Sequence, residues 1–383
     1  MKIRSSTALT VLLVCFLALP VFAYSPWQPE ESSTDSLADL VLELRSTYEL
    51  AAENRAGSPD FLQDLEDLVE RFEALLPSRG LITESSYEPG ASVSHVVGGV
   101  VFGMRYAPSA SFQSDDPIIS NNDKLPAFVQ VDDPFWIAET EVTYELWKEV
   151  YNWATHEARG ARQYRFQNPG RRGETGREDL SAQQPVTAIN WRDAMVWCNA
   201  LTEYYNAANG TSLGCVYTHK GQVVRDSTHA NWTVCDTVVT DESANGFRLP
   251  TNAEWQLAAR YIDGKSWLPG DHVSGDTSAS SWSMDGRGRS EVFGDYAWYW
   301  SNSGRTTKAV GGKIPNALGV YDMSGNVLEW CFDWIDPQSV AWGRIYRGGY
   351  YESVEGEMFV GSVYAGSPDY LNWMIGFRFA KSL

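Results

Sequence analysis

The sequence predicts an α+β fold with few regular elements and long loops, preceded by an N-terminal helical hairpin. Two observations point to the class. From Val93 onward, short apolar runs alternate with turn residues and only a few helical periods interrupt them. The chain also carries 16 tryptophans in 383 residues. Long loops lack regular ladders to hold them, and each Trp supplies roughly 150–250 Å² of burial together with an N–H donor. With 43% hydrophobic residues, the chain is large enough for one large domain or two smaller ones.

Met1 to Ala23 has the layout of a secretory signal: Lys2 and Arg4 form a positive start, Leu9 to Leu19 an apolar run, and Val21-Phe22-Ala23 a small-residue cleavage site. Cleavage is expected after Ala23. Lipidation at Cys15 is the poorer fit, because Val14 stands where a small residue is needed. No later segment reaches the roughly 20 apolar residues of a membrane span, so the expected location is secreted or periplasmic. Residues 24–85 then show Leu37, Leu40, Val41, Leu44 and Tyr48, and again Phe61, Leu65, Leu68, Phe72 and Leu76, at helical spacing. Ser58 at the N-cap and Pro59 at the first helical position separate the two helices of this hairpin.

In the main domain, residues 90–383, Val96 to Tyr106 and Phe128 to Ile137 read as strands, and Val142 to Ala154 as a helix capped by Thr143 or the acids before it. Pro185 to Asn190 reads as a short strand leading into a helix from Trp191 to Asn206. Thr251 and Glu254 form a capping box for the next helix. The last strands are expected around Arg344 to Tyr350 and Gly376 to Ala380.

The formal charge of −19 argues against nucleic acid, whose phosphates need a basic face, and is compatible with a cation ligand or simply with solubility. Four cysteines follow the leader. In an oxidising compartment Cys215 and Cys235 are the preferred pair, closing a loop of about 20 residues for roughly 3 kcal/mol. Cys198 and Cys331 read as buried small hydrophobes, with a bridge between them as the alternative. No CxxC or Cys/His pair has zinc spacing. The five histidines are scattered, the Gly-Gly pairs lack a following Lys-Ser/Thr, and no Gly-x-Ser-x-Gly elbow occurs.

The most organised stretch is Pro315 to Trp334, with turn residues, three acids and two tryptophans at fixed offsets. Asp322, Glu329 and the carbonyls near Gly325 and Val327 come from one turn, the kind of oxygen cluster that calcium prefers. Alternatively, Glu329 caps backbone amides or pairs with an arginine such as Arg248 or Arg378. The stretch resembles the signature of the formylglycine-generating enzyme (sulfatase-modifying factor) family. Three other segments resemble the same family in the same order: Phe135 to Thr143, Asn245 to Arg260, and Arg347-Gly-Gly349 with the closing Ile375-Gly-Phe-Arg378. The resemblance covers roughly residues 93 to 383.

That resemblance implies a C-type-lectin-like fold and a calcium site at Asp322, Gly325, Val327 and Glu329. It also implies an active site in which two cysteines hold copper(I), which selects soft thiolates. The matching positions here are Ser353 and Met358, and no cysteine follows Cys331. Copper is therefore not expected, nor are catalytic residues.

What remains is a surface crowded with Tyr350, Tyr351, Glu352, Phe359, Tyr364, Asp369, Tyr370, Asn372 and Trp373. Such residues suit recognition, since Tyr and Trp give rigid contact area at low entropy cost. Tyr350, Tyr351, Ser353, Tyr370 and Trp373 are the expected ligand contacts. The segment also resembles the variable region of lectin-like proteins diversified by retroelements, although Met358, Val360, Leu371 and Met374 depart from it. The expected function is a secreted binding or accessory module for a protein or glycan ligand. The alternative is an oxidoreductase of the sulfatase-maturation type.

Overall fold

The computed structural model describes residues 87–114, 128–174, 181–278, 290–336 and 343–383. The expected signal segment with Cys15, and the helical hairpin of residues 24–85, lie outside them.

Gly98 and Gly99 turn the chain at φ 54° and 87°, backbone angles that an L side chain resists. The single strand expected from Val96 to Tyr106 is therefore a hairpin, β1 (Ser92–Val97) against β2 (Val100–Ala107). β3 (Ala110–Gln113) pairs with β4 (Phe128–Val131), and Asp132-Asp133-Pro134 separates β4 from β5 (Phe135–Ala138), since proline removes a ladder donor. Next come β6 (Arg171–Arg172), β7 (Val186–Thr187), β8 (Tyr217–His219), β9 (Gln222–Val223), β10 (Val239–Thr240) and β11 (Phe247–Arg248). β12 (Leu328–Trp334), β13 (Arg344–Arg347), β14 (Val363–Gly366), β15 (Ile375–Gly376) and β16 (Ala380–Ser382) complete the strands. One sheet has the order β1-β2-β5-β16-β11, and a second has the order β14-β13-β12-β15.

Three of the helices follow their local signals. Helix α1 (Tyr144–Ala154) starts where the Thr143 hydroxyl accepts from Leu146 N at 3.1 Å. Asn190 and Asp193 cap α2 (Trp191–Asn209) reciprocally, and its first twelve residues are all buried, so this helix runs through the core rather than over it. A short helix, α3 (Trp232–Asp236), precedes α4 (Asn252–Arg260), whose Thr251–Glu254 capping box forms as the sequence predicts. Arg248 holds the same Glu254 at 2.7 and 2.6 Å.

The tryptophans hold the loops to these helices. Trp147 and Trp197 stack with centroids 5.8 Å apart, and Phe377 meets both edge-on. Their N–H groups are satisfied by backbone carbonyls at Pro169 and Trp147.

The expected Cys215–Cys235 disulfide does not form, and neither does the alternative Cys198–Cys331 bridge. Cys198, Cys215, Cys235 and Cys331 are all free thiols. Cys215 Sγ donates to Asn199 O beside α2, whereas Cys235 Sγ donates from α3 to Asp226 O, so the two are held by different backbone carbonyls. Burial pushes both thiols up to about 12, which keeps them protonated and unreactive.

His95 gives the fold a pH dependence. Its ring packs against Phe102, Tyr205 and Phe247, and burial, with some repulsion from Lys381, lowers its pKa from 6.5 to about 4. Between those values the folded state binds fewer protons than the unfolded chain, so stability present at neutral pH is lost as the pH falls through this window. In urea titrations, the stability advantage of the native protein over His95→Gln should shrink from about pH 7 to about pH 4. An advantage independent of pH would show that His95 does not titrate in this way.

Candidate functional site

The motif at Pro315 to Trp334 folds as a turn followed by β12. Asp322, Gly325 and Asn326 take φ values of 55°, 85° and 58°. A Cβ on Gly325 would lie 2.2 Å from Trp298 O, so only glycine allows this approach. Gly325 N donates to Gly348 O at 2.7 Å, which ties the turn to the Gly-Gly motif after β13.

β12 then aims Glu329 into the interior, where it is fully buried. Its Oε1 accepts from Arg378 Nη2 at 2.6 Å, and its Oε2 accepts from Arg378 Nε at 2.7 Å and Trp255 Nε1 at 2.8 Å. This is a forked, charge-assisted pair. The other Arg378 donors reach Ala138 O and Tyr321 O. Glu141, quoted in the sequence motif without a role, accepts from Val327 N at 3.0 Å and Asn326 Nδ2 at 2.6 Å. Three carboxylates thus surround one buried guanidinium. Burial raises the pKa of Glu141, with repulsion from Asp322 and Glu329 adding to it, and burial lifts Asp322 to about 6.

The expected calcium set does not fit this arrangement. Both Glu329 oxygens face N–H donors, and a cation there would sit against Arg378. Asp322 Oδ2 accepts from Gly311 N at 2.6 Å, leaving Oδ1 as a buried oxygen without a hydrogen-bond donor. Among the described residues no group of three or more His, Cys, Asp or Glu is arranged to hold a metal ion. The alternative weighed from the sequence, pairing of Glu329 with Arg378, is the one the structure adopts.

The two positions matched to copper-binding cysteines are also interior. Ser353 is buried, and its Oγ accepts from Tyr350 N at 3.2 Å. Met358 is fully buried against Gly349, in a small cluster with Val273, Ala297 and Phe359. A hard hydroxyl and a packed thioether do not make a copper(I) site.

The expected ligand contacts divide by burial. Tyr351 is only 1% exposed, and its backbone is bonded to Asn326 O and Ser303 Oγ. Tyr351 and Ser353 are therefore supports rather than contacts, because the turn after Gly349 folds back onto the Asn326 turn. Tyr350 is half-buried, whereas Tyr370 and Trp373 are 39% and 55% exposed. Leu371, treated from the sequence as a departure from a recognition pattern, is 48% exposed between them.

The loop carrying these three residues is well anchored. Tyr370 N donates to Ser367 O, Asn372 Nδ2 donates to Tyr370 Oη at 2.8 Å, and Ala188 N donates to Asn372 O at 3.1 Å. Beneath it, Tyr346 on β13 stacks on Tyr364 of β14 at 5.7 Å, with Tyr370 a further ring at 6.5 Å from Tyr346. Burial raises the Tyr350 and Tyr364 hydroxyl pKa values, and Glu357 raises them further, so the aromatic face has an acidic border.

Residues 88–383 match the family described as the sulfatase-modifying factor enzyme 1-like domain. The chain belongs to that family. Among solved structures, Treponema denticola variable protein 1 is 28% identical, with a TM-score of 0.57 over 76% of this chain and 99% of that one. CarF is 25% identical, with a TM-score of 0.52 over 73% of this chain and 98% of that one. These neighbours bear out the expected α+β, C-type-lectin-like sulfatase-modifying-factor fold. Among curated relatives, the chaperone protein LppX of Paenibacillus barcinonensis is 32% identical over 219 residues, covering 52% of this chain and 62% of that protein. The formylglycine-generating enzyme of Streptomyces coelicolor is 31% identical over 156 residues, covering 36% of this chain and 47% of that enzyme. Both matches span less than two thirds of the relative's length. Among the described residues, no helix is long and apolar enough to cross a membrane.

Proposed function

We propose that this sulfatase-modifying-factor domain is a non-catalytic binding or accessory module, exported from the cytoplasm, that recognises a protein or glycan ligand with its C-terminal aromatic loop. The observation that carries the reading is the exposure of Tyr370, Leu371 and Trp373 on a loop pinned by side-chain and backbone hydrogen bonds. An ordered aromatic surface loses little entropy when it binds. The chaperone relative supports an accessory role. Burial of Ser353 and Met358, with no thiolate at either position, supports the absence of oxidase chemistry.

Two measurements test the proposal. Trp373→Ala should weaken binding to a ligand found by screening the purified protein on glycan and protein arrays by tenfold or more, about 1.4 kcal/mol, with an unchanged melting temperature. Undiminished binding removes the aromatic loop as the recognition surface. The Streptomyces relative keeps oxidase activity as the competing class. Incubation with copper(I), oxygen and a Cys-x-Pro-x-Arg peptide should yield no formylglycine, and turnover above a no-enzyme control would make the protein an enzyme.

A further inference from the structure

A cleft of about 510 Å³, within the size range of small-molecule sites, opens beside the β8–β9 hairpin, on a part of the domain that shares no lining residue with the aromatic loop. Arg165, His219, Lys220 and Arg225 line it against a single carboxylate, Asp226. That balance is unusual in a chain with a formal charge of −19. The hairpin turn is built for this placement: Lys220 and Gly221 take φ values of 51° and 72°, the left-handed pair of a tight two-residue turn. No ion pair or hydrogen bond engages the Lys220 ammonium among the described residues. Arg165 approaches Asp226 only to 3.9 Å, and its side chain is 73% exposed.

Arg225 is oriented rather than neutralised. Glu203 accepts from it, and the same carboxylate accepts from Arg159 Nη2 at 2.7 Å, so one negative charge serves two guanidiniums. Burial lowers the Arg159 pKa, the Glu203 carboxylate opposes that shift, and repulsion from Arg225 and Arg162 adds to it. The rest of the lining is aliphatic, at Val223, Val224 and Val234, and amide, at Gln222 and Asn231. Guanidinium and ammonium groups bind carboxylate or phosphate, amides bind neighbouring hydroxyls, and aliphatic surface takes the C–H face of a ring.

We propose that this cleft binds an anionic sugar, with Arg165 and Lys220 holding its carboxylate or phosphate. Calorimetry on the purified full chain at low salt tests it with digalacturonate and glucose 6-phosphate as probes and their neutral counterparts, galactobiose and glucose, as controls. One or both anions should bind, weakening as salt rises, while the neutral sugars do not bind. Arg165→Gln and Lys220→Gln, both changes of exposed side chains, should each weaken binding by about tenfold or more. Trp373→Ala should leave it unchanged, which separates this cleft from the aromatic loop. A response to digalacturonate alone assigns a carboxylate ligand, and a response to glucose 6-phosphate alone assigns a phosphate. Equal binding of the neutral sugars, full affinity in the Arg165→Gln/Lys220→Gln double variant, or no binding of either anion at millimolar concentration overturns the proposal.

Discussion

Replacing Glu329 by Gln should destabilise the domain by about 3–5 kcal/mol, because buried Arg378 then loses the one carboxylate that accepts its hydrogen bonds and keeps only the charges of Glu141 and Asp322 to offset its own. Glu329 and Arg378 are both fully buried, and the carboxylate accepts two of the guanidinium's N–H groups as well as Trp255 Nε1. A glutamine keeps the shape but presents an NH2 group to donors that need acceptors. Removing both charges, as in Glu329→Gln/Arg378→Met, should recover part of the loss, since the pair's attraction is offset by the desolvation of both ions. Urea titration measures each variant, and calcium against EDTA is the deciding comparison. The loss should be the same in both. A loss confined to calcium-containing buffer would return Glu329 to the role of a metal ligand.

Trp197→Ala should cost about 3–5 kcal/mol as well, whereas Trp373→Ala should stay within about 0.5 kcal/mol. Trp197 is fully buried on α2, stacks on Trp147, meets Phe377 edge-on at 5.3 Å and donates to Trp147 O at 3.2 Å. Its removal leaves a cavity in the centre of the larger core and takes away the indole donor to Trp147 O on α1. Trp373 has more than half its surface in water and no comparable packing. Thermal unfolding of the two variants separates core from surface tryptophan directly. Equal losses would show that Trp373 holds the fold, and would remove the aromatic loop as a recognition surface.

The two tryptophans also mark the limit of what is legible in the chain. Both belong to aromatic-rich segments, and nothing within a few residues of either one distinguishes a core ring from an exposed one. Tyr351 and Trp373 read alike from the sequence as ligand contacts, yet the first is buried because the turn after Gly349 returns to Asn326. The cleft beside Lys220 was equally hidden. The Lys-Gly pair marks a turn with Arg225 close behind it, but Arg165, which completes the cleft with them, lies in a separate segment. The strand boundaries differ in a simpler way: Gly98-Gly99 and Asp132-Asp133-Pro134 each divide a stretch whose apolar pattern predicts a single strand.

The sequence by itself determined the family, through four ordered motifs, and with it the α+β architecture. It also determined the helix start at Thr251 and narrowed the first helix's cap to Thr143 or the acids before it, because a cap acts across three residues and its partners are written side by side. That Ser353 and Met358 stand where the family resemblance implies a thiolate pair is an expectation read from single positions. Only the tertiary structure decided which arginine takes Glu329, which tyrosine reaches solvent and whether the cysteines pair. Those choices are made between residues far apart in the chain: Glu329 and Arg378 are 49 residues apart, and Val327 and Glu141 are 186. A carboxylate in the sequence carries the same signal whether it will meet calcium, a backbone amide or a guanidinium. Burial removes water as the competing partner, and the donor that the fold brings within hydrogen-bond distance then decides the outcome.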